Sequence, residues 1–145
     1  MNDIEIKEIT EKDIPKIVEI WYEVSLQAHG FIHSDYWSKN KDQMSNKYIP
    51  MSETYQVTDG ENILGFISLI EDYLAAIFVK PELQGRGIGS LLLNHAMSLR
   101  NNLQLKVFCK NIKSVEFYKS KGFSVISESK DNETGENEFV MQWYK

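Results

Sequence analysis

The sequence predicts an α/β domain built around one central mixed sheet, and three observations predict it. Seven segments carry strand patterns, either alternating or continuously apolar. Four carry apolar residues at helical spacing, and turn residues separate them, so the order reads β-α-α-β-β-β-α-β-α-β-β. At 145 residues the chain fits one domain, 1–145, able to bury roughly two-thirds of its unfolded surface without a disulfide or metal staple.

Ile4, Ile6 and Ile9 alternate with charged residues, as in a half-exposed strand. Thr10 then opens a helix, with Asp13 three residues on in a variant of the capping box and Pro15 in the first turn, where its missing N–H is harmless. Ile14, Ile17, Val18, Trp21 and Tyr22 recur at helical spacing, which predicts an amphipathic helix over about 13–28. Residues 29–54 are the least regular; a second helix through about 34–48, ended by Pro50, is expected there. Tyr55–Thr58 reads as a strand, Asp59-Gly60 as a hairpin turn, and Ile63–Ile70 as the next strand.

Glu71-Asp72 makes a short connection to Tyr73–Val79, whose near-continuous apolar character predicts a central strand stopped by Pro81. A glycine-rich turn leads into a helix carrying Ile88, Leu91, Leu92, Ala96 and Leu99. Leu103–Cys109 is the next strand. Asn111 can cap a helix to about Lys121, and Gly122 supplies a left-handed stop. Phe123–Ser127 and Phe139–Trp143 are the last strands, joined by a polar turn. No repeat, linker or low-complexity stretch interrupts this order.

Composition excludes several classes. Sixteen Lys and Arg against twenty-one Asp and Glu leave a net charge of −5, which argues against a nucleic-acid binder and slightly favours cationic substrates. No apolar run approaches the ~20 residues of a membrane span, and the polar, acidic N-terminus lacks a signal-peptide pattern, so no membrane partner and a cytoplasmic location are expected. One cysteine, Cys109, and three histidines without an HExxH pair predict neither a disulfide framework nor a metal site. Cys109 reads as a small buried strand residue and His95 as a surface residue.

Three of the eight glycines fall within Gln84-Gly85-Arg86-Gly87-Ile88-Gly89, between an apolar strand and an amphipathic helix. Glycine permits unusual dihedrals and close approach of a ligand, while the helix start adds unsatisfied N–H groups suited to phosphate oxygens. A Walker loop fails because Gly89-Ser90 lacks the lysine. A dinucleotide fingerprint is poorly matched, since the spacing is GxGxG and Lys106, Cys109 and Lys110 occupy the region where an acidic residue belongs.

The run from Val79 through Gly89 resembles the acetyl-CoA loop of the GNAT N-acetyltransferase superfamily, (Gln/Arg)-x-x-Gly-x-(Gly/Ala). Asn111-x6-Tyr118-x3-Gly122-Phe123 resembles that family's second signature. Both signatures lie within 77–123, and the element order suits the GNAT fold, a mostly antiparallel mixed sheet flanked by helices. Around His29–Ile32 and Tyr36-Trp37 the chain is similar to small bacterial members, the YjaB-like group.

The resemblance implies acetyl-CoA as cosubstrate and an amine, of a small molecule, peptide or protein, as acceptor. Ile77, Phe78 and Val79 would offer edge backbone to the pantetheine arm. Gly85, Arg86, Gly87, Ile88, Gly89 and Ser90 would wrap the pyrophosphate, and Asn111 would hydrogen-bond the cofactor. Tyr118 would lie near its sulfur as general acid, with a core aromatic beside Phe117 as the lesser reading. His29, Phe31, Trp37, Asp72 and Tyr73 are the candidates for the acceptor side, where the aromatic cluster reads equally as core or as pocket wall. Homodimers are common in this family, and no feature of the sequence decides the matter.

Direct transfer in a ternary complex makes three demands: a neutral amine, a donor to the tetrahedral oxyanion, and a proton for the leaving thiolate. The resemblance places the family's usual basic carboxylates at Tyr73 or Lys106, and neither is a carboxylate. Glu71, Asp72, His29, His33 or a water relay remain as sources of the base. An acyl-CoA-binding module with little turnover is therefore the alternative reading.

Overall fold

The computed structural model describes residues 3–145. β1 (Glu5–Glu8) leads through a 3₁₀ turn (Glu11–Asp13) into α1 (Ile14–Ala28). The expected cap is present: the Asp13 carboxylate accepts the Thr10 N–H at 2.9 Å, and those bonds hold its pKa low despite partial burial. The irregular segment is helical but broken, as α2 (Ser34–Lys39), α3 (Lys41–Gln43), a π turn (Met44–Tyr48) and α4 (Ile49–Met51).

Pro50 therefore does not end a helix before itself; it sits inside the last turn. Ile49 N–H reaches back five residues to Met44 O. This wider turn relieves the clash a proline ring makes with the carbonyl four residues earlier.

β2 (Glu53–Thr58), β3 (Ile63–Ile70) and β4 (Tyr73–Val79) form a meander. The first hairpin closes through Asp59, whose N–H donates to Asn62 O and whose Oδ1 accepts the Asn62 N–H, both at 3.1 Å. After a 3₁₀ turn (Pro81–Leu83) come α5 (Ile88–Leu99), β5 (Asn102–Phe108), α6 (Ile112–Ser120), β6 (Ser124–Lys130) and β7 (Asn137–Tyr144). α6 stops where Gly122 takes φ of 96° and Phe123 N–H bonds to Tyr118 O at 3.0 Å. Cys109 lies just past β5, half-buried. His95 is half-buried too, its ring 4.6 Å from that of Tyr55, because α5 packs against β2 there.

The seven strands order as β1-β2-β3-β4-β5-β7-β6, antiparallel except for β4 beside β5. Alternation along the strands feeds two cores. On one face Leu92 and Leu93 of α5 are buried with the strand residues Leu103, Leu105 and Met141. On the other, Ile17 and Val24 of α1 and Trp37 of α2 belong to the core that holds Phe66 of β3. Each such side chain contributes about 1.5–3 kcal/mol by leaving water. Among the described residues no helix is long and apolar enough to cross a membrane.

One irregularity opens the sheet. Ser68 faces Ala76 and Leu69 faces Leu74, leaving Ala75 as an extra residue in β4. A bulge bends and twists its strand, and β4 and β5 share a single registered pair, Tyr73 with Gln104. Beyond that pair the two strands part. The central position expected for β4 is thus correct, yet its far half behaves as an edge.

Candidate active site

The parting of β4 and β5 forms a cleft of about 650 Å³, whose walls include Ile77, Phe78 and Val79 on one side and Lys106 to Phe108 on the other. Its closed end is held where Arg100 pairs with Glu53 at 2.9 Å and Asp72 at 3.7 Å. Val79 pairs with Gly65 on β3. A Cβ on Gly65 would lie 2.6 Å from the Phe78 carbonyl oxygen, so glycine is required for this close approach.

The glycine turn borders the cleft at Gly85 and from Gly87 to Ser90. Gly85 and Gly87 take φ of 81° and 87°, a region costing L-residues roughly 1–2 kcal/mol. Gly87 caps α5 without a side chain, and the first helical bond is Leu91 N–H to Gly87 O at 3.0 Å. The N–H groups of Ile88, Gly89 and Ser90 therefore have no partner among the described residues, and α5 carries no acidic residue in its first turn. That set of donors, with the positive end of the helix dipole behind it, suits an anionic oxygen cluster. Gln84 braces the turn by donating Nε2–H to Val79 O at 3.1 Å. Arg86 is exposed and is not among the residues lining the cleft.

Asn111 and Tyr118 both reach the cleft, as their seven-residue spacing suggests. Asn111 Oδ1 accepts the Ser114 N–H at 3.3 Å, which caps α6. That bond fixes the amide so that Nδ2 faces His29 Nε2 at 3.1 Å, and His29 must accept there, carrying its proton on Nδ1. His29 is 9% exposed, and its Nδ1 has no partner among the described residues. Its ring stacks on Trp37 at 5.2 Å and meets Phe31 and Phe108 edge-on. Burial pushes its pKa down to about 4. His29 and Trp37 line the cleft, whereas Phe31 stands behind them against Phe108.

The Tyr118 ring belongs to the core, 5.6 Å from Phe117 and 5.7 Å from Phe123, while the residue also lines the cleft. The core reading of this residue is thus met, and the same residue also borders the cleft. Burial raises its pKa, so the phenol is protonated at neutral pH and available as a donor.

Neither remaining acceptor-side candidate is among the residues lining the cleft, although the Tyr73 phenol lies close enough to Glu138 and Tyr118 to interact with both. Asp72 is engaged with Arg100 at the closed end, and Tyr73 lies at the β4–β5 junction, its phenol pKa raised by burial and by Glu138. His33 is exposed, its Nδ1 accepting the Asp35 N–H at 3.1 Å.

The cleft's carboxylate was not anticipated. Glu138 on β7 pairs across the sheet with Phe108 and lines the cleft. Burial and the charge of Asp131 raise its carboxyl pKa, with Lys106 opposing. It lies in a polar stretch, Asp131 to Glu138, that carries four acidic residues, and no local pattern distinguishes it from the others.

Comparison with known proteins agrees with this geometry. The family described as "Acetyltransferase (GNAT) domain" matches residues 50–125. The chain is 30% identical to the peptidyl-lysine N-acetyltransferase YiaC of Escherichia coli K12 over 95% of each chain. It is 29% identical to the peptidyl-lysine N-acetyltransferase YjaB of Salmonella typhimurium over 91% of each. In three dimensions it resembles apo YjaB from Escherichia coli, with a TM-score of 0.86, 24% identity and 97% of each chain covered. It also resembles the PaiA N-acetyltransferase of Thermoplasma acidophilum in complex with coenzyme A, with a TM-score of 0.82, 20% identity and 99% of each chain covered.

Proposed function

This chain belongs to the GNAT acetyltransferase family, and we propose that its cleft transfers the acetyl group of acetyl-CoA to the side-chain amine of a peptide or protein lysine. Transfer to an amine follows from the family. The lysine acceptor is our inference, supported by two peptidyl-lysine acetyltransferases at 30% and 29% identity along nearly the whole chain. We take residues 1–145 as one catalytic domain working in the cytoplasm. The single observation that carries the reading is the bulged β4 parting from β5 beside a helix start with free amides.

The cleft's residues suit acetyl-CoA on physical grounds. Unpaired N–H groups of Ile88, Gly89 and Ser90 would hold the pyrophosphate, with two glycines in left-handed conformations keeping side chains off the path. The free edge of Ile77–Val79 would bond the extended pantetheine as an added strand and offer N–H to the thioester oxygen. Asn111, oriented by Ser114 and His29, keeps a second amide hydrogen for the same arm. When bound, acetyl-CoA supplies an activated acyl group. Tyr118 would protonate the departing thiolate, a role for which its raised pKa leaves it in the correct form.

The test incubates the protein with acetyl-CoA and a panel of amines: an N-terminally blocked peptide with one lysine, the same peptide with a free α-amine and no lysine, and spermidine. Free thiol is followed. Fastest release with the blocked lysine peptide is expected. Thermal stabilisation by coenzyme A without thiol release from any acceptor would instead identify a binding module.

A further inference from the structure

The cleft needs a group that takes a proton from the attacking amine, because a lysine ammonium (pKa about 10.4) is almost wholly protonated at neutral pH. The sources open to the sequence are answered by geometry. Asp72 is tied to Arg100 outside the cleft. His33 is exposed and caps α2. His29 has its Nε2 committed to Asn111, its Nδ1 buried and a pKa of about 4, so it stays neutral without a free lone pair facing solvent. Glu71 sits in the β3–β4 turn, away from the cleft lining.

Glu138 is the one carboxylate among the described residues that line the cleft. Its acidic neighbours are occupied: Glu136 pairs with Lys110 at 3.1 Å, Glu133 accepts the Tyr36 hydroxyl at 2.9 Å, and Asp131 accepts from Thr134 at 2.6 Å. Glu138 makes no side-chain hydrogen bond or ion pair with any described residue. Alternation along β7 puts Phe139, Met141 and Trp143 on the α5–α6 core. Glu138 consequently shares the opposite face with Phe108, which packs with the α1–α2 core. Tyr118 belongs to the α5–α6 side. A carboxylate and a phenol thus enter one cleft from opposite faces of the sheet.

We propose that Glu138 binds the ammonium of the acceptor and accepts its proton, resting on the amine-acetyltransferase reading above. The neutral nitrogen then attacks the thioester carbon; the C–N bond forms and the C–S bond breaks. Of the two protons the nitrogen loses, one passes through Glu138 to solvent and the other balances the proton Tyr118 gives to the thiolate. The charged groups that act on the carboxyl are Asp131 from the turn and Lys106 from β5, while Tyr73 from β4 and Tyr36 from α2 face it as neutral phenols. Burial and Asp131 act in the direction a base requires.

The experiment compares wild type with Glu138→Gln, using the panel member that wild type acetylates fastest, across pH 6.5–9.5. Loss of general-base assistance predicts a fall of about 100-fold in kcat/KM for the acceptor at pH 7. That loss should shrink as pH rises and the free-amine fraction grows. The KM for acetyl-CoA and the thermal shift with coenzyme A should be unchanged, which separates the effect from misfolding. Equal activities, or a loss that is the same at every pH, would overturn the role of Glu138 and leave the proposed function standing. Absence of wild-type turnover on every acceptor would remove the function itself.

Discussion

Acidification from pH 7 to pH 4 should destabilise the fold through His29, and the size can be worked out. In the unfolded chain this imidazole titrates near its ordinary 6.5; in the fold burial holds it near 4. Above 6.5 neither state is protonated and the histidine has no pH-dependent effect. Below it the unfolded state takes a proton that the folded state refuses, so stability falls until the folded pKa is reached. At about 1.4 kcal/mol per pH decade, that window is worth about 3 kcal/mol. For a chain of this length the loss corresponds to about 10 °C in Tm.

Urea titrations at half-unit pH steps, followed by tryptophan fluorescence, would measure it, because Trp37 stacks directly on the His29 ring. His29→Gln is the control, since its amide oxygen can accept from Asn111 and does not titrate. The low-pKa carboxylates Asp13 and Glu53 also lose stability in acid, but both variants carry them, so they cancel in the difference. Wild type should lose about 3 kcal/mol relative to His29→Gln between pH 7 and pH 4. A difference that stays flat, or an imidazole seen by NMR to titrate near 6.5, would refute the reasoning from burial.

Tyr118→Phe keeps the ring packed against Phe117 and Phe123 while removing the acid; kcat should fall roughly 100-fold with little change in either KM or in Tm. Gly87→Val places a β-branched residue at φ of 87°, and should cost about 2 kcal/mol and abolish the thermal shift produced by coenzyme A. A shift of normal size would remove the pyrophosphate assignment. Gly65→Ala drives a methyl against the Phe78 carbonyl, and should lower Tm by roughly 5 °C as β3 and β4 are forced apart. An unchanged Tm would show that the strands adapt freely at that point.

The element order, the glycine turn, the Asn111 cap and the Gly122 stop could all be read from the chain. Each depends on contacts within a few residues, where side-chain period, φ preference and orphan amides leave few alternatives. The irregular segment was harder, because the π turn around Pro50 is a compromise between helix propagation and ring sterics that no periodicity records.

Long-range pairing decided the rest. The extra residue at Ala75 follows from how β4 registers on β3. His29 meets Asn111 across 82 positions of chain. Glu138 enters the cleft only because β7 lies beside β5 in the register that sets it opposite Phe108. Sequence spacing carries no information about such meetings; they are fixed when two cores close on opposite faces of one sheet and strand register determines which side chains share the opening.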